Sequence, residues 1–440
     1  MSRHVHDFVA IGIGPFNLGL ACLAAPLEGL DGVFLDQADG FDWHPGMVLD
    51  NATLQTPFLA DLVTLADPTS RFSFLNYLKT TGRIYGFYIK EDFFMLRLEY
   101  KQYCQWAAAQ LPALRWQRRV QRVDFVDGVY RVECVHLHSG EREHYHARRL
   151  VLGTGTVPYV PACCRGMGGE AGHSARYLQD KAALQQRRSI TVVGSGQSAA
   201  EIYFDLLQDI DRCGYRLNWL TRSPRFFPLE YGKLTLEMTS PDYVDYFHRL
   251  PEARRDSLLQ QQTGLYKGIN RTLINAIYDL LYAKNLRGGA DTVLMARTAL
   301  TDCRHDAASG RYRLSLHQRE QDARFELETE GLVLATGYVY REPDFLRPVA
   351  ERLRRDARGR LNVARDYSVD RAGKEIYVQN AELHTHGLAT PDLGMACYRN
   401  AWLIRALSGV EHYPVERRIA FQHFAAPDGA AARTTDRTRA

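Results

Sequence analysis

The chain has 440 residues, too long for one ordinary module and suited to two or three. Hydrophobic residues make up 45% and charged residues 24%, a globular balance that excludes a disordered chain, a collagen-like repeat and a polytopic membrane protein. Lys and Arg total 55 against 51 for Asp and Glu, a net charge of +4; no concentrated basic face is expected, and hence no nucleic-acid partner.

The eight cysteines include no C-x2-C pair, and Cys163 and Cys164 are simply adjacent. Neither a zinc site nor a disulfide framework is expected, so the metal reading is none and the thiols are those of a reducing cytosol. Residues 8–25 imitate a signal peptide or a short membrane span. Arg3 is offset by Asp7, however, and Pro15 and Asn17 interrupt the run, so a folded element explains it better and no membrane span is expected.

In chain order, Phe8–Ile13 reads as a buried strand that runs into Gly12-Ile13-Gly14-Pro15-Phe16-Asn17 and a helix from Leu18 to about Ala25. A second apolar run, Gly32–Leu35, ends in Asp36, completing a βαβ unit. Residues 37–70 read as loop, with helical patterns around Phe72–Thr80 and Asp92–Leu111 and a β-rich stretch over 120–152. Ser189–Val193 begins a second βαβ unit, with the turn Gly194-Ser195-Gly196-Gln197-Ser198-Ala199, a helix over Ala200–Leu207 and a strand Arg216–Leu220 that leads to Arg222 and Ser223. Residues 224–250 read as irregular and aromatic, and 252–285 as mainly helical. Further strands are expected over Tyr312–Leu316, over Phe325–Ala335 and at Ile376, then a helix over about Gly394–Leu407. The tail 425–440 lacks apolar periodicity and reads as disordered.

A lone glycine-rich turn is a weak signal, but each of these follows a strand and precedes a helix. Glycine lets the backbone approach a pyrophosphate, and the helix N-terminus offers unpaired N–H groups to it. The plainer reading of either turn is a tight connection without a ligand. Asp36 lies roughly 20 residues after Gly14, the spacing at which a carboxylate accepts from ribose hydroxyls. A carboxylate repels a 2′-phosphate, so the first unit suits FAD. Arg222 and Ser223 offer a guanidinium and a hydroxyl to a 2′-phosphate, so the second suits NADPH. One chain with both sites points to a flavin oxidoreductase.

At this point the sequence resembles the N-hydroxylating flavin monooxygenases of siderophore biosynthesis, which act on lysine, ornithine and diamines. The carrying residues are Gly12 to Asn17, the loop Phe41-Asp42-Trp43-His44-Pro45-Gly46-Met47, Leu54-Gln55-Thr56, Ala335-Thr336-Gly337-Tyr338 and His384-Thr385-His386-Gly387. Met167, Gly169, His173 and Tyr177 echo the fingerprint of the wider class B flavoprotein monooxygenases, and Glu330 stands where the family usually has Asp. The resemblance covers about residues 5–410. It implies an α/β protein of two Rossmann-like dinucleotide-binding domains with a small helical substrate region. The FAD domain would comprise 1–165 and 325–415, the NADPH domain 185–235 and 290–324, and the substrate region 236–289. It further implies Trp43, His44, Thr336, Gly337, Tyr338, His386 and Gly387 near the cofactor. Gln55 would meet the flavin and nicotinamide, and Asn270 the reacting amine and the NADP+ ribose. A cytoplasmic homo-oligomer, dimer or tetramer, is the implied state.

Amino-acid members usually carry F-L-K-D-L after the glutamine, the lysine holding the substrate α-carboxylate. This chain has Phe58-Leu59-Ala60-Asp61-Leu62. Ornithine enzymes tend to show L-L-S near the C-terminal flavin segment, where this chain has Asp392-Leu393-Gly394. A third carboxylate contact, an asparagine, falls at Leu236. Losing a buried charge partner costs about 3–5 kcal/mol, or roughly two to four decades of selectivity.

The resemblance therefore implies N-hydroxylation of an aliphatic diamine, putrescine or cadaverine, with O2 by way of a C4a-hydroperoxyflavin. The product is an N-hydroxydiamine for hydroxamate siderophores. The distal ammonium needs an acid, and Glu230, Glu237, Asp242 and Asp392 remain open candidates. Lysine or ornithine N-hydroxylation and a broader class B oxygenase are the alternatives. A flavin disulfide reductase would need a cysteine pair in 37–70, where there is none, and a silent nucleotide-binding sensor would leave the intact glycine turns unexplained.

Overall fold

The structure, a computed structural model, describes residues 4–165 and 172–427. Met167 and Gly169 of the fingerprint, and most of the tail expected over 425–440, lie outside the described residues. Two sheets organise the molecule. In the first, the strand order is Leu114–Arg115, Gly32–Leu35, His6–Ile11, Arg142–Leu152, Val129–His136 and Arg118–Val126, with Ile376–Val378 joining Arg142–Leu152. His6–Ile11 is parallel to both Gly32–Leu35 and Arg142–Leu152, and Val9, Ala10 and Phe8 are fully buried. Strands covered on both faces read as unbroken apolar runs, which is why this unit was visible in the sequence. The helix Pro15–Ala24 packs on this sheet, beginning three residues before the expected Leu18, with Pro15 in the first helical position, where its missing N–H costs nothing.

The second sheet is wholly parallel: Gly172–His173, Gly331–Leu334, Ser189–Val193, Arg216–Leu220 and Thr292–Met295. The helix Gln197–Cys213 covers it, three residues longer at its start than expected and ended by Gly214 in the left-handed region. Thr298–Asp306, Arg311–Gln318 and Ala323–Thr329 form a separate antiparallel sheet.

The run expected as one strand over Phe325–Ala335 is therefore two. Ala323–Thr329 ends the antiparallel sheet, and Gly331–Leu334 pairs with Ser189–Val193. A domain boundary at 325 thus falls too early, because the four buried residues Gly331–Leu334 belong to the second sheet. The chain returns to the first unit only with Tyr338–Tyr340, which pairs antiparallel with Thr156–Pro158. The helix expected over 92–111 is shorter, Arg97–Ala108, with the strand Phe94–Leu96 before it, and a further helix, Ile84–Lys90, lies where none was expected. The segment expected as irregular over 224–250 contains the helices Lys233–Leu236 and Pro241–Arg249, the latter capped by the Ser240 hydroxyl. Among the described residues no helix is long and apolar enough to cross a membrane.

Candidate active site

The first turn sits at the carboxyl ends of two parallel strands, where open α/β sheets bind ligands. Gly12 has φ of 93°, and a Cβ there would lie 2.3 Å from the Gly153 carbonyl oxygen, so only glycine lets these two strand ends close. Asn17 stands where such turns usually have a third glycine, and it stitches the turn together. Its Nδ2 donates to the Gly12 carbonyl at 2.7 Å, and its Oδ1 accepts from Gln379 Nε2 at 2.6 Å. Gln379 in turn accepts from Arg399, which also donates to Glu382 and lies over the Phe16 ring at 4.4 Å. This buried string from the C-terminal helix Gly394–Ser408 to the turn was not foreseen, since its members lie some 380 residues apart.

The helix Pro15–Ala24 starts at Gly14 with no side-chain cap, leaving its N–H groups to face a ligand. Asp36 accepts from Ile13 N at 2.6 Å and Ala38 N at 2.8 Å; a carboxylate has further lone pairs for ribose hydroxyls. These features fit the pyrophosphate and ribose of a dinucleotide such as FAD.

The second turn repeats the design. A Cβ at Gly194 would lie 2.2 Å from the Ala335 carbonyl oxygen, and the helix after Gly196 has no side-chain cap. Arg222 is exposed at the end of Arg216–Leu220, with Ser223 beside it donating its N–H to Thr221 Oγ1. The sequence reading missed Lys267. Burial and the charge of Arg222 lower its ammonium, and the Lys267 carbonyl lies 3.4 Å from a Gly196 Cβ position. This pair of cations beside an open turn fits a 2′-phosphate. Ser198 sits in the first turn of the helix.

Between the two turns lies a continuous hydrogen-bonded chain. Asn270 donates Nδ2 to Gln55 Oε1 at 3.0 Å and its backbone N–H to Gln197 Oε1 at 2.8 Å. Gln197 donates to Glu201 Oε1 at 2.8 Å, and Glu201 takes a two-pronged grip from Arg97 at 2.7 and 2.8 Å. Arg97 also donates to the Met47 carbonyl at 3.1 Å. Asn270 Oδ1 meanwhile caps the helix Arg271–Asn285 through Thr272 N at 2.8 Å. It is thus a cap that also orients Gln55. The Gln55 amide nitrogen has only the Thr53 carbonyl at 3.5 Å, so it remains able to donate into the cleft. Tyr231, another residue not foreseen, donates to the Gln55 carbonyl at 3.2 Å.

The loop over residues 41–47 packs tightly against the second unit, since a Cβ at Gly46 would lie 2.1 Å from the Ala175 carbonyl oxygen. Trp43 packs edge-on to Tyr100 at 5.3 Å, and His44 meets Tyr338 at 5.5 Å. His44 is solvent-accessible but recessed in the cleft, where desolvation and the Arg97 charge lower its imidazole to about 4. The Thr336 hydroxyl donates to the Tyr159 carbonyl, and the Gly337 carbonyl is paired with His173 at 3.1 Å.

Several expected site residues are placed elsewhere. His386 is 1% exposed, with one ring nitrogen on the Thr385 hydroxyl at 2.9 Å and the other on the Arg365 carbonyl at 3.3 Å. It also stacks on Tyr367, so it is a satisfied core histidine with no ring nitrogen left for a cofactor. Gly387, with φ of 70°, packs a Cβ's distance from Phe247. Glu237 accepts from the backbone N–H groups of Phe421 and Gln422 at 2.9 and 3.1 Å, and Asp242 from those of Ile419 and Ala420. Both acids therefore fasten the C-terminal segment instead of facing a substrate. Leu236 stands 44% exposed on its short helix, and Glu230 is exposed.

The remaining acid is different. Ala60 is buried at the end of a loop that Asp61 organises by accepting from Val63 N, Thr64 N and Phe74 N at 2.6–2.9 Å. A Cβ at Gly394 would lie 2.9 Å from Asp392 Oδ1 and 3.7 Å from Ala60 Cβ, so three of the expected substrate residues meet at one point.

A fold with two dinucleotide turns, joined across a cleft by a hydrogen-bonded glutamine, defines a two-nucleotide oxidoreductase of the flavoprotein type. The family model of L-lysine 6-monooxygenase/L-ornithine 5-monooxygenase matches residues 4–340, and the chain belongs to that family. The putrescine N-hydroxylase of Shewanella oneidensis is 52% identical over 97% of this chain and 85% of its own length. The crystal structure of the FAD-bound cadaverine monooxygenase of the desferrioxamine pathway of Erwinia amylovora aligns with a TM-score of 0.95. It is 58% identical over 97% of this chain and 100% of that one. An ornithine N-hydroxylase of Kutzneria, with reduced FAD, NADP+ and L-ornithine, aligns with a TM-score of 0.84 at 28% identity over 92% and 99%.

Proposed function

We propose that the protein is an FAD- and NADPH-dependent N-hydroxylase of an aliphatic diamine, putrescine or cadaverine, that supplies an N-hydroxydiamine for a hydroxamate siderophore. The observation that carries the substrate class is Ala60: it is buried, 5% exposed, at the position where amino-acid members hold a lysine. A substrate α-carboxylate brought there would be desolvated without a partner. The relatives named for putrescine and cadaverine support the same reading.

Reduced by NADPH, the flavin would supply activated oxygen to the amine. The chain's own residues prepare that encounter. Gly12, Gly14, Asn17 and Asp36 hold one dinucleotide, and Gly194, Gly196, Arg222 and Lys267 the other. Gln55, fixed by Asn270 through its side-chain oxygen and by the Tyr231 hydroxyl through its carbonyl, keeps one amide donor available between them. We place the enzyme in the cytoplasm as a homo-oligomer, which light scattering tests. The test of function supplies FAD, NADPH and O2 and compares hydroxylamine yield from putrescine, cadaverine, ornithine and lysine. A preference for either amino acid would overturn the reading.

A further inference from the structure

We infer that Asp392 is the specificity carboxylate that holds the distal ammonium of the diamine, and that Ala60 and Gly394 are the two small residues that leave room for it. The inference rests on the diamine reading above and deepens it.

Three observations carry it. First, Asp392 has no cationic partner among the described ion pairs; it accepts from the backbone N–H groups of Met395, at 3.1 Å on Oδ1, and of Gly394. A recessed carboxylate in that state is costly unless a cation arrives. Arg399, whose charge reaches it, is committed to Glu382 and to the Thr390 carbonyl at 3.0 Å. Burial raises the Asp392 carboxyl, as expected of an acid awaiting a counter-ion.

Second, Asp392 acts electrostatically on a tyrosine that touches Gln55. Burial and the Asp392 charge raise the Tyr231 phenol to about 12, and that phenol donates to the Gln55 carbonyl. Tyr231 thus hydrogen-bonds the Gln55 carbonyl and also feels the Asp392 charge.

Third, the local sequence changes form a set. A serine at 394 would bring its Cβ to 2.9 Å from Asp392 Oδ1, and a lysine at 60 would start 3.7 Å from that same Cβ position. Gly394 therefore does more than lack a hydroxyl: its missing Cβ is the space the carboxylate occupies. A site that binds an α-carboxylate with a cation at 60 has become, in this chain, one that binds an ammonium with an anion at 392.

The experiment uses the FAD-loaded enzyme and compares Asp392→Asn and Asp392→Glu with the wild type on putrescine, cadaverine and n-butylamine, which lacks the distal ammonium. Asp392→Asn keeps an acceptor for Met395 N and is expected to raise the KM for either diamine about ten- to a hundred-fold, the scale of a lost charge-assisted contact. The KM for n-butylamine should stay within about threefold of its wild-type value. Without substrate the variant should melt no lower than wild type, and putrescine should raise the Tm of the wild type alone. Asp392→Glu, which advances the carboxylate by one methylene, should shift preference from cadaverine toward putrescine.

Unchanged diamine KM in Asp392→Asn, or a parallel loss on n-butylamine, overturns the anchor and leaves the diamine function standing. A wild type that hydroxylates no diamine overturns both.

Discussion

Removing Glu201 should loosen the junction between the two nucleotide units. Its carboxylate and the Arg97 guanidinium are 6% and 12% exposed and meet at 2.7 and 2.8 Å. Glu201→Ala would leave Arg97 buried with only the Met47 carbonyl, which costs about 3–5 kcal/mol. That is a large share of the ~5–15 kcal/mol that holds a typical fold. Glu201→Gln keeps an acceptor and should cost less, about 1–3 kcal/mol. Arg97→Met combined with Glu201→Leu removes both charges and should recover most of the loss, because an apolar pair needs no desolvation. The assay is urea unfolding followed by flavin and tryptophan fluorescence, Trp219 lying in the second unit. Gln197 also loses its acceptor, so Asn270 and Gln55 should become less ordered and NADPH consumption less tightly linked to hydroxylamine formation. A loss below about 1 kcal/mol in Glu201→Ala would mean that the pair behaves as a solvated surface bridge, and the reasoning would fail.

Gly12→Ala should purify without bound flavin, read from its absorbance, because the new Cβ would strike the Gly153 carbonyl at 2.3 Å; normal flavin content would contradict the cradle. Arg222→Ala should raise the KM for NADPH about ten- to a hundred-fold with little effect on NADH, since a charge-assisted contact contributes about 1.5–3 kcal/mol. Hydroxylation should rise with pH between 7 and 9. The reacting amine has an unperturbed pKa near ~10.4 and reacts neutral, so raising pH increases the competent fraction. His44, lowered to about 4, is already neutral there and adds no limb. A flat single-turnover profile would contradict the assignment.

Much of the site was legible because glycine turns, strand ends and the acid at Asp36 are local. Their chemistry depends on residues a few positions apart, and buried parallel strands announce themselves as apolar runs. Ala60 was equally legible, as an absence within a short motif. The misplaced features are those that depend on distant partners. Gly331–Leu334 looks continuous with the strand before it, and only pairing with Ser189–Val193 assigns it to the other sheet. His386 reads as a cofactor contact until the Thr385 hydroxyl and the Arg365 carbonyl are seen to occupy its ring.

The sequence by itself therefore determined the two nucleotide units, their order and the loss of the cation at position 60. Tertiary structure decided what each candidate acid is left to bind. Glu237, Asp242 and Asp392 are alike as sequence, each an acid in a polar context. Folding gives the first two the backbone N–H groups of residues 419–422. Asp392 also accepts backbone N–H groups, from Met395 and Gly394, but these belong to its own turn, and it lies beside Ala60 and Gly394 with no cation among the described ion pairs. A carboxylate's role is set by what is left for it to bind, and that is fixed only when distant segments meet.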